Sequence, residues 1–510
     1  MAHMGSRPFY VLKIVILFVS VAAGAQEALP DIRVELPGRA RTISQVLDKI
    51  SLQSGYDFTY DADLFPGDRK VNLDGASLPM QAVLDSLFRY DSLSYRVIGR
   101  NIVIFRMNEQ PPSPLIPEID RALVVGRITD QRSGKALPYA TIALFGSSLG
   151  SVSNQDGSFS FKIPPDMSNP LLVVSYMGYK SRYVSLSYPT EDALDIGLER
   201  ETIPLQEVII RYTDPAFLLQ EALAKIQDNY LQEYSHMTAY YRESVRRDDH
   251  CMVFSEAVLE VAKSPYSPAL QSDQARILKG RKITDTERRD TVLIKLSAGI
   301  HTSLNLDVVK NRPDFLGPQL LEYYDLEFND IMTYRDRLVY VINFRQKEHI
   351  RELMFQGKVY LDQENLAILA VDFEYNPDLI QKEPGIFLVN RSPGVRIRPV
   401  FARYHVDYRE IDGSHYISQV RAEVEMKVRR KRRWMGSRYG ISVEMAVTDV
   451  DPGQRIRINR EERVRQNTIV SDEPFVLDPL FWGIYNTIEP ENSLRESIER
   501  IEHSIQEITQ

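Results

Sequence analysis

The 510-residue sequence holds a single cysteine, Cys251. That excludes an intrachain disulfide framework and any cysteine-rich zinc or iron–sulfur site. Histidine is scarce too, eight residues with no His-Glu-x-x-His pairing, so the usual helical zinc-hydrolase signature is missing. There is no basic excess: 62 Lys and Arg stand against 70 Asp and Glu, a net charge of −8, which argues against a general nucleic-acid binder. Beyond the N-terminal segment no apolar run reaches the roughly 20 residues that a membrane-spanning helix needs. Nor is there the regular series of about ten-residue amphipathic segments expected of an outer-membrane barrel. What is present is ordinary globular material. Hydrophobic residues make up 43% and charged residues 26%, which excludes wholesale disorder. With 27 Tyr and 20 Phe the chain can fill several cores, and its length fits about three domains.

Residues 1–25 read as a targeting segment. Arg7 and Lys13 flank the apolar run Ile14–Ala23, and Ala23-Gly24-Ala25 is a small-x-small cleavage site. The expectation is a signal peptide cleaved after Ala25, hence an exported chain. No cysteine follows the site, so a lipid-anchored form is not expected. Met1–Ser6 carries no fold information. Loss of Arg7 and Lys13 leaves a mature net charge of −10.

Residues 28–107 read as a small α+β domain with an internal repeat. Ile32–Leu36 alternates like a strand; Thr42 can cap a helix whose Ile43, Val46, Leu47 and Ile50 share one face; Gly55 ends it; and Tyr56–Tyr60 returns as a strand. The pattern recurs with strand Val71–Leu73, capping Ser77, Pro79 in a first helical turn, and the stripe Met80, Val83, Leu84 and Leu87. Strands Leu93–Val97 and Asn101–Phe105 follow. The two helices are expected to share one sheet. The helix over Ile43–Ile50, the run Leu78-Pro-Met-Gln-Ala-Val-Leu-Asp85 and the ending Leu93–Ile104 resemble the secretin and TonB N-terminal short domain. That resemblance implies a periplasmic protein–protein module, which in signalling receptors contacts an anti-sigma regulator. No plug or barrel follows, so a transporter role does not carry over.

Residues 108–120 are a proline-rich linker, and 121–211 read as a β-sandwich of short alternating strands with a tight hairpin signal at Asp156-Gly157. The strands include Leu123–Ile128, Ala140–Leu144, Ser158–Phe161 and Leu171–Ser175. Gly126-Arg-Ile-Thr-Asp130, Leu137-Pro-Tyr-Ala140, Asn154-Gln-Asp-Gly-Ser-Phe159, Ser175-Tyr-Met-Gly-Tyr179 and Leu205-Gln-Glu-Val208 resemble the carboxypeptidase regulatory-like domain. This is a prealbumin-like sandwich without catalytic residues of its own, common in Bacteroidota envelope proteins. Gly146-Ser-Ser-Leu-Gly150 matches the hydrolase motif G-x-S-x-G. A nucleophile elbow, however, needs a helix after the turn, and a strand-and-turn sequence follows here.

Residues 212–510 read as a large α+β region. Asp214 and Pro215 open a helix bearing Leu219, Ala222, Leu223 and Ile226. Strands are expected over 238–246, 252–262, 337–344, 356–361, 366–375, 400–409, 416–428 and 441–450. Clean alternation, as in Val424–Val428, implies an antiparallel sheet with one buried face. Asn492–Ile508 has Leu494, Ile498, Ile501 and Ile505 at helical spacing. Phe355–Asp362 and Leu366–Tyr375 are similar to the curved-sheet strands of LolA-like lipoprotein carriers. That similarity implies an open, wrapped antiparallel sheet with helices packed in its concavity; most apolar strand faces are core, so core side chains are expected there, with an acyl chain as the alternative.

Candidate chemistry is thin. A three-residue loop at Asp412-Gly413 would pair Tyr404, Val406 and Tyr408 with Val420, Ser418 and Tyr416. His405 would then face Gln419 and His415 would face Arg409, so the two histidines would not converge. Cys251 reads as a buried strand residue. The most informative charge feature is Lys427, Arg429, Arg430, Lys431, Arg432 and Arg433 followed by Trp434, between two strands. Such a hairpin tip suits anionic headgroups or an acidic partner, at about 1 kcal/mol per basic residue near an anionic membrane. It equally suits a solvated tip that blunts strand association. The sequence predicts a multidomain α+β protein: a small βαβ-repeat domain, a seven-stranded-type β-sandwich and a large curved antiparallel sheet with helices. The function it predicts is a non-enzymatic adaptor in the periplasm, associated with the outer membrane. No cofactor or metal is expected. Its partners would be a receptor, an assembly machine or an anti-sigma regulator, with anionic lipid headgroups and no nucleic acid. The alternative is a lipid or lipoprotein carrier.

Overall fold

A computed structural model describes residues 32–36, 41–59, 70–71, 75–88, 93–98, 101–106, 122–164, 167, 170–186, 193–201, 214–248, 250–267, 271–284, 299–317, 320–383, 395–430, 436–465, 485–488, 490 and 495. The expected signal segment, the expected linker 108–120 and the helix expected over Asn492–Ile508, Arg495 apart, lie outside the described residues. Contacts divide the chain into two compact units. One is Met1–Phe58 with Lys70–Ile104, and the other is Thr59–Arg69 with Phe105–Gln510.

The first unit runs β1 (Arg33–Leu36), β2 (Arg41–Thr42), α1 (Ile43–Ser54), β3 (Asp57–Thr59), β4 (Lys70–Val71), β5 (Gly75–Pro79), α2 (Met80–Phe88), β6 (Leu93–Ile98) and β7 (Asn101–Arg106). Thr42 and Gln45 form a reciprocal capping box at the start of α1, and Gly55, at φ 72°, takes the left-handed turn that ends it. Ile43, Val46, Leu47 and Ile50 of α1 are buried, as are Met80, Val83, Leu84 and Leu87 of α2. Two expectations need correction. Ser77 and Pro79 lie within β5, which runs directly into α2 at Met80, because Pro79 holds the residue before it extended. Among the described residues the expected shared sheet is not formed, and the strands fall into three ladders, β1–β5, β2–β4 and β3–β7–β6.

The second unit begins with a sandwich of seven strands: β8 (Ala122–Asp130), β9 (Thr141–Leu144), β10 (Gly150–Val152), β11 (Ser158–Ile163), β12 (Leu171–Ser175), β13 (Arg182–Ser185) and β14 (Leu194–Leu198). One sheet has the order β10-β9-β12-β13 and the other β11-β8-β14. Alternate residues Val124, Ile128, Ile142, Phe159, Phe161, Leu172, Val174 and Ile196 fill the space between them. The Asp156-Gly157 turn does not close a hairpin. Gly157, at φ 78°, carries the chain from β10 in one sheet to β11 in the other. Asn154 Oδ1 holds the crossing by accepting from the Asp156 and Ser158 amides, at 2.9 Å each.

The rest of this unit is one ten-stranded antiparallel sheet. Its elements are α3 (Pro215–Ala224), α4 (Ile226–Asn229), β15 (Ser235–Arg247), β16 (His250–Lys263), β17 (Gln274–Thr284), α5 (Ile300–Asn305), α6 (Leu320–Tyr323), β18 (Tyr324–Tyr334), β19 (Arg337–Gln346), β20 (Phe355–Asp362), β21 (Ile368–Tyr375), β22 (Val395–Ile411), β23 (Ser414–Arg430) and β24 (Ser437–Pro452). The strand order is β17-β16-β15-β24-β23-β22-β21-β20-β19-β18. Asp214 accepts from the Ala216 amide at 2.9 Å and Pro215 opens α3, as the sequence indicates. Helix residues Leu219, Ala222, Ile300 and Leu304 pack with Phe315, Phe344, Val359, Val406 and Val420 on one sheet face. Among the described residues no helix is long and apolar enough to cross a membrane.

Candidate functional site

The hairpin that carries the basic run forms as the alternation requires. β23 and β24 pair from Gln419↔Ala446 to Val428↔Ser437. Lys427 and Arg429 are exposed; Arg430 ends the strand, and Lys431, Arg432, Arg433 and Trp434 lie outside the described residues. The ladder adds cations that the linear run does not contain. On β22, Arg396 lies opposite Arg429 and Arg398 opposite Lys427, while on β24 Arg438 lies opposite Lys427. Cross-strand partners share a sheet face, as do residues two apart, so five cations gather on one face over three adjacent strands. All five are exposed. Only Arg438 has a carboxylate within reach among the described residues, Glu425 at 3.2 Å. Like charges placed directly opposite destabilise a sheet, so this arrangement works against folding rather than for it. The missed signal was the alternation Val395-Arg-Ile-Arg398, which puts two arginines on one face of a strand.

The hairpin at Asp412-Gly413 differs from expectation. Asp412 (φ 49°) and Gly413 (φ 80°) make a two-residue turn, which pairs Ile411 with Ser414 and Glu410 with His415. A bulge between Asp407 and Tyr408 then sets Tyr408 against Ile417, Val406 against Val420 and Tyr404 against Ala422. His405 therefore faces Arg421 and meets Asp372 at 2.7 Å; His415 is buried with Nδ1 3.0 Å from the Asn229 carbonyl. Burial pushes the His415 pKa below its ordinary value. Cys251 is buried in β16. Among the described residues no group of three or more His, Cys, Asp and Glu is placed to hold a metal ion.

Gly146–Gly150 is a strand–turn–strand connection between β9 and β10, without the helix an elbow requires. Its Ser148 is instead a docking residue, whose hydroxyl donates to Asp449 Oδ1 on β24 at 2.5 Å. Around it the sandwich is fastened to the sheet face opposite the helices. The Gly178 amide donates to the Thr333 carbonyl at 2.7 Å, and the Tyr183 hydroxyl to Asp336 at 3.0 Å. Arg421 lies 3.8 Å over the Tyr139 ring, and Arg409 reaches the Leu149 carbonyl at 3.5 Å. Met177 packs into Tyr334, Val339, Val341 and Tyr360. The segment around Tyr485–Ile488 reinforces the junction. Asn486 Oδ1 accepts from the Lys162 amide at 2.6 Å on edge strand β11, and Tyr240 and Arg242 both donate to the Ile488 carbonyl.

Residues 124–210 match the CarboxypepD_reg-like domain family. No curated protein matches the chain. Among solved structures, a DUF1329 family protein from Desulfovibrio piger is 16% identical, with 46% of this chain and 94% of that one covered at a TM-score of 0.20. MucB, solved in complex with MucA(peri), is 14% identical over 47% of this chain and 100% of that one, at a TM-score of 0.15. Lipovitellin is 7% identical over 45% and 27%, at 0.23. Similarity at these levels supports no argument about activity. Within the regulatory-like domain the matched motif residues have structural duties. Gly126 leaves room for the Phe159 ring, whose Cε1 would lie 2.7 Å from an added Cβ. Asp130 accepts from Ser133, Tyr179 and Arg200.

Proposed function

We propose that this chain is an exported, non-enzymatic docking protein of the cell envelope. It would hold an outer-membrane surface, or a complex embedded there, through the cationic end of its large sheet. The gathering of Arg396, Arg398, Lys427, Arg429 and Arg438 on one face supports this reading most directly. Cross-strand repulsion costs roughly 0.2–1 kcal/mol per pair, a cost that an anionic ligand surface relieves. Arg421 to Arg429 spans eight residues of β23, about 27 Å, so the cations project well beyond the regulatory-like domain seated at Arg421. The secretin and TonB short-domain resemblance of residues 28–107 adds a second contact module to the same reading.

The helix-covered face supports docking over lipid carriage. There Phe315 stacks on Phe344 at 4.4 Å and meets Phe373 at 5.2 Å and Phe355 at 5.9 Å, so aromatic side chains occupy the volume an acyl chain would need. The test is co-sedimentation with vesicles of phosphatidylcholine and phosphatidylglycerol. Wild type should sediment in a salt-sensitive manner, and a variant with Arg396, Arg398, Lys427 and Arg429–Arg433 changed to Ala should not. Equal, salt-insensitive sedimentation of both would remove the membrane arm of the proposal.

A further inference from the structure

A second concentration of cations lies at the other end of β24. β24 starts at Ser437 beside the docking face and ends at Pro452, 16 residues or about 50 Å away. There the segment 453–465 lies against the start of β17 and borders an open pocket of ≈ 330 Å³. Arg455, Arg457 and Arg463 line it together with Tyr234, Gln271 and Gln274, and no carboxylate lines it among the described residues. Among the described residues none of the three arginines forms an ion pair, while two nearby carboxylates are engaged by Arg276. Glu462 is held by Arg276 at 3.0 Å, and Glu260 by Arg276 at 2.6 Å.

Two of the arginines, Arg455 and Arg463, are preset. Arg463 donates from Nε to the Ile458 carbonyl at 2.9 Å, which fixes its plane and leaves the terminal amines free for a ligand. Arg455 lies 4.2 Å over the Tyr234 ring, and the Tyr234 hydroxyl donates to Gln271 Oε1 at 2.8 Å. The Val464 amide donates to the Ala275 carbonyl at 2.8 Å and Ile458 is buried, so the strap that carries the arginines is held at its middle and near its C-terminal end. A planar guanidinium presents paired donors that match oxyanions, and prior stacking reduces the entropy lost on binding. Three guanidinium groups around one volume suit an anion with at least three terminal oxygens and two charges better than a carboxylate. The volume is at the lower end of small-molecule sites. We propose that this pocket binds a phosphate-type oxyanion, as a phosphomonoester or pyrophosphate group, carried either on a soluble compound or on a lipid headgroup.

The test uses the full chain with the docking-face cations replaced by alanine, so that the pocket is read alone. Calorimetric titration with sodium pyrophosphate at constant ionic strength should give saturable binding. It should weaken roughly tenfold or more in the Arg457→Gln, Arg463→Gln variant, whose exposed positions leave the fold and its circular dichroism unchanged. Retention on phosphatidylcholine vesicles doped with phosphatidic acid, lost in the same variant, assigns the headgroup form. Pyrophosphate binding without vesicle retention assigns the soluble form. Absence of both, or binding unchanged by the two substitutions, overturns the proposal.

Discussion

At the scale of single residues the most demanding feature is ionic and buried. Lys263 bridges Asp273 and Asp307, and Lys310 joins Asp273 and Ser264, all nearly inaccessible to water. Burial alone would lower the Lys263 pKa, but Asp273 and Asp307 outweigh it and hold the ammonium above its ordinary value. Burial and the Lys263 charge push Lys310 below its own. Removing one partner strands a charge in a dry site, so Asp307→Ala should lower unfolding stability by about 3–5 kcal/mol in urea. A loss under about 1 kcal/mol would mean that water reaches the site. Three carboxylates share a pH signature. Burial would raise Asp273, yet its lysines hold it low; burial would raise Asp372, yet His405 and Tyr360 hold it at about 2; and the Ser133 amide first, then Tyr179, the Ser133 hydroxyl and Arg200, hold Asp130 well below the usual range. Each releases its proton more readily folded than unfolded. Their stabilisation is complete above the unfolded value near 4 and is lost as pH falls through the folded values. Urea midpoints should therefore fall steeply between about pH 4 and 2. None of this was legible in the sequence, because Lys263 and Asp307 stand 44 residues apart.

At the scale of elements, periodicity was informative where one face is buried and one is wet. The inner strands β15, β16 and β19–β24 fall where alternation puts them, often a few residues longer. The two edge strands, β17 and β18, went unread. Their sequences, Gln-Ala-Arg-Ile-Leu-Lys-Gly-Arg-Lys-Ile-Thr and Tyr-Asp-Leu-Glu-Phe-Asn-Asp-Ile-Met-Thr-Tyr, carry the charge that edges use against association. The Asp412-Gly413 register was misjudged because a two-residue and a three-residue loop share the same dipeptide, and the Asp407 bulge leaves no mark in sequence. Gly357 shows what the element itself demands. A Cβ there would overlap the Asp372 carbonyl and lie 2.8 Å from Phe373 Cα, both backbone. Gly357→Ala should cost about 1–3 kcal/mol and separate β20 from β21, seen as faster amide exchange across that pair. Unchanged stability would mean the two strands already part freely.

At the scale of the whole molecule, the sequence announced a sandwich and a sheet but not their relation. The junction uses Ser148, Arg409, Arg421 and Asn486, which come from four separate stretches of chain. Asn486→Ala removes the acceptor of the Lys162 amide, so exchange at that amide should rise while the sandwich core exchanges as before. Unchanged protection at Lys162 would show that the segment around Tyr485–Ile488 contributes no clamp. The same scale governs the docking face, since a basic run visible in one stretch becomes a surface only when β22 and β24 add Arg396, Arg398 and Arg438 to it. The most direct measurement of the proposed docking role is binding of the full chain to isolated outer-membrane fractions, titrated with salt, for wild type and the docking-face alanine variant. The account predicts wild-type binding that weakens with salt and a variant that stays in solution with its fold intact. Equal binding by the two proteins at every salt concentration would contradict it.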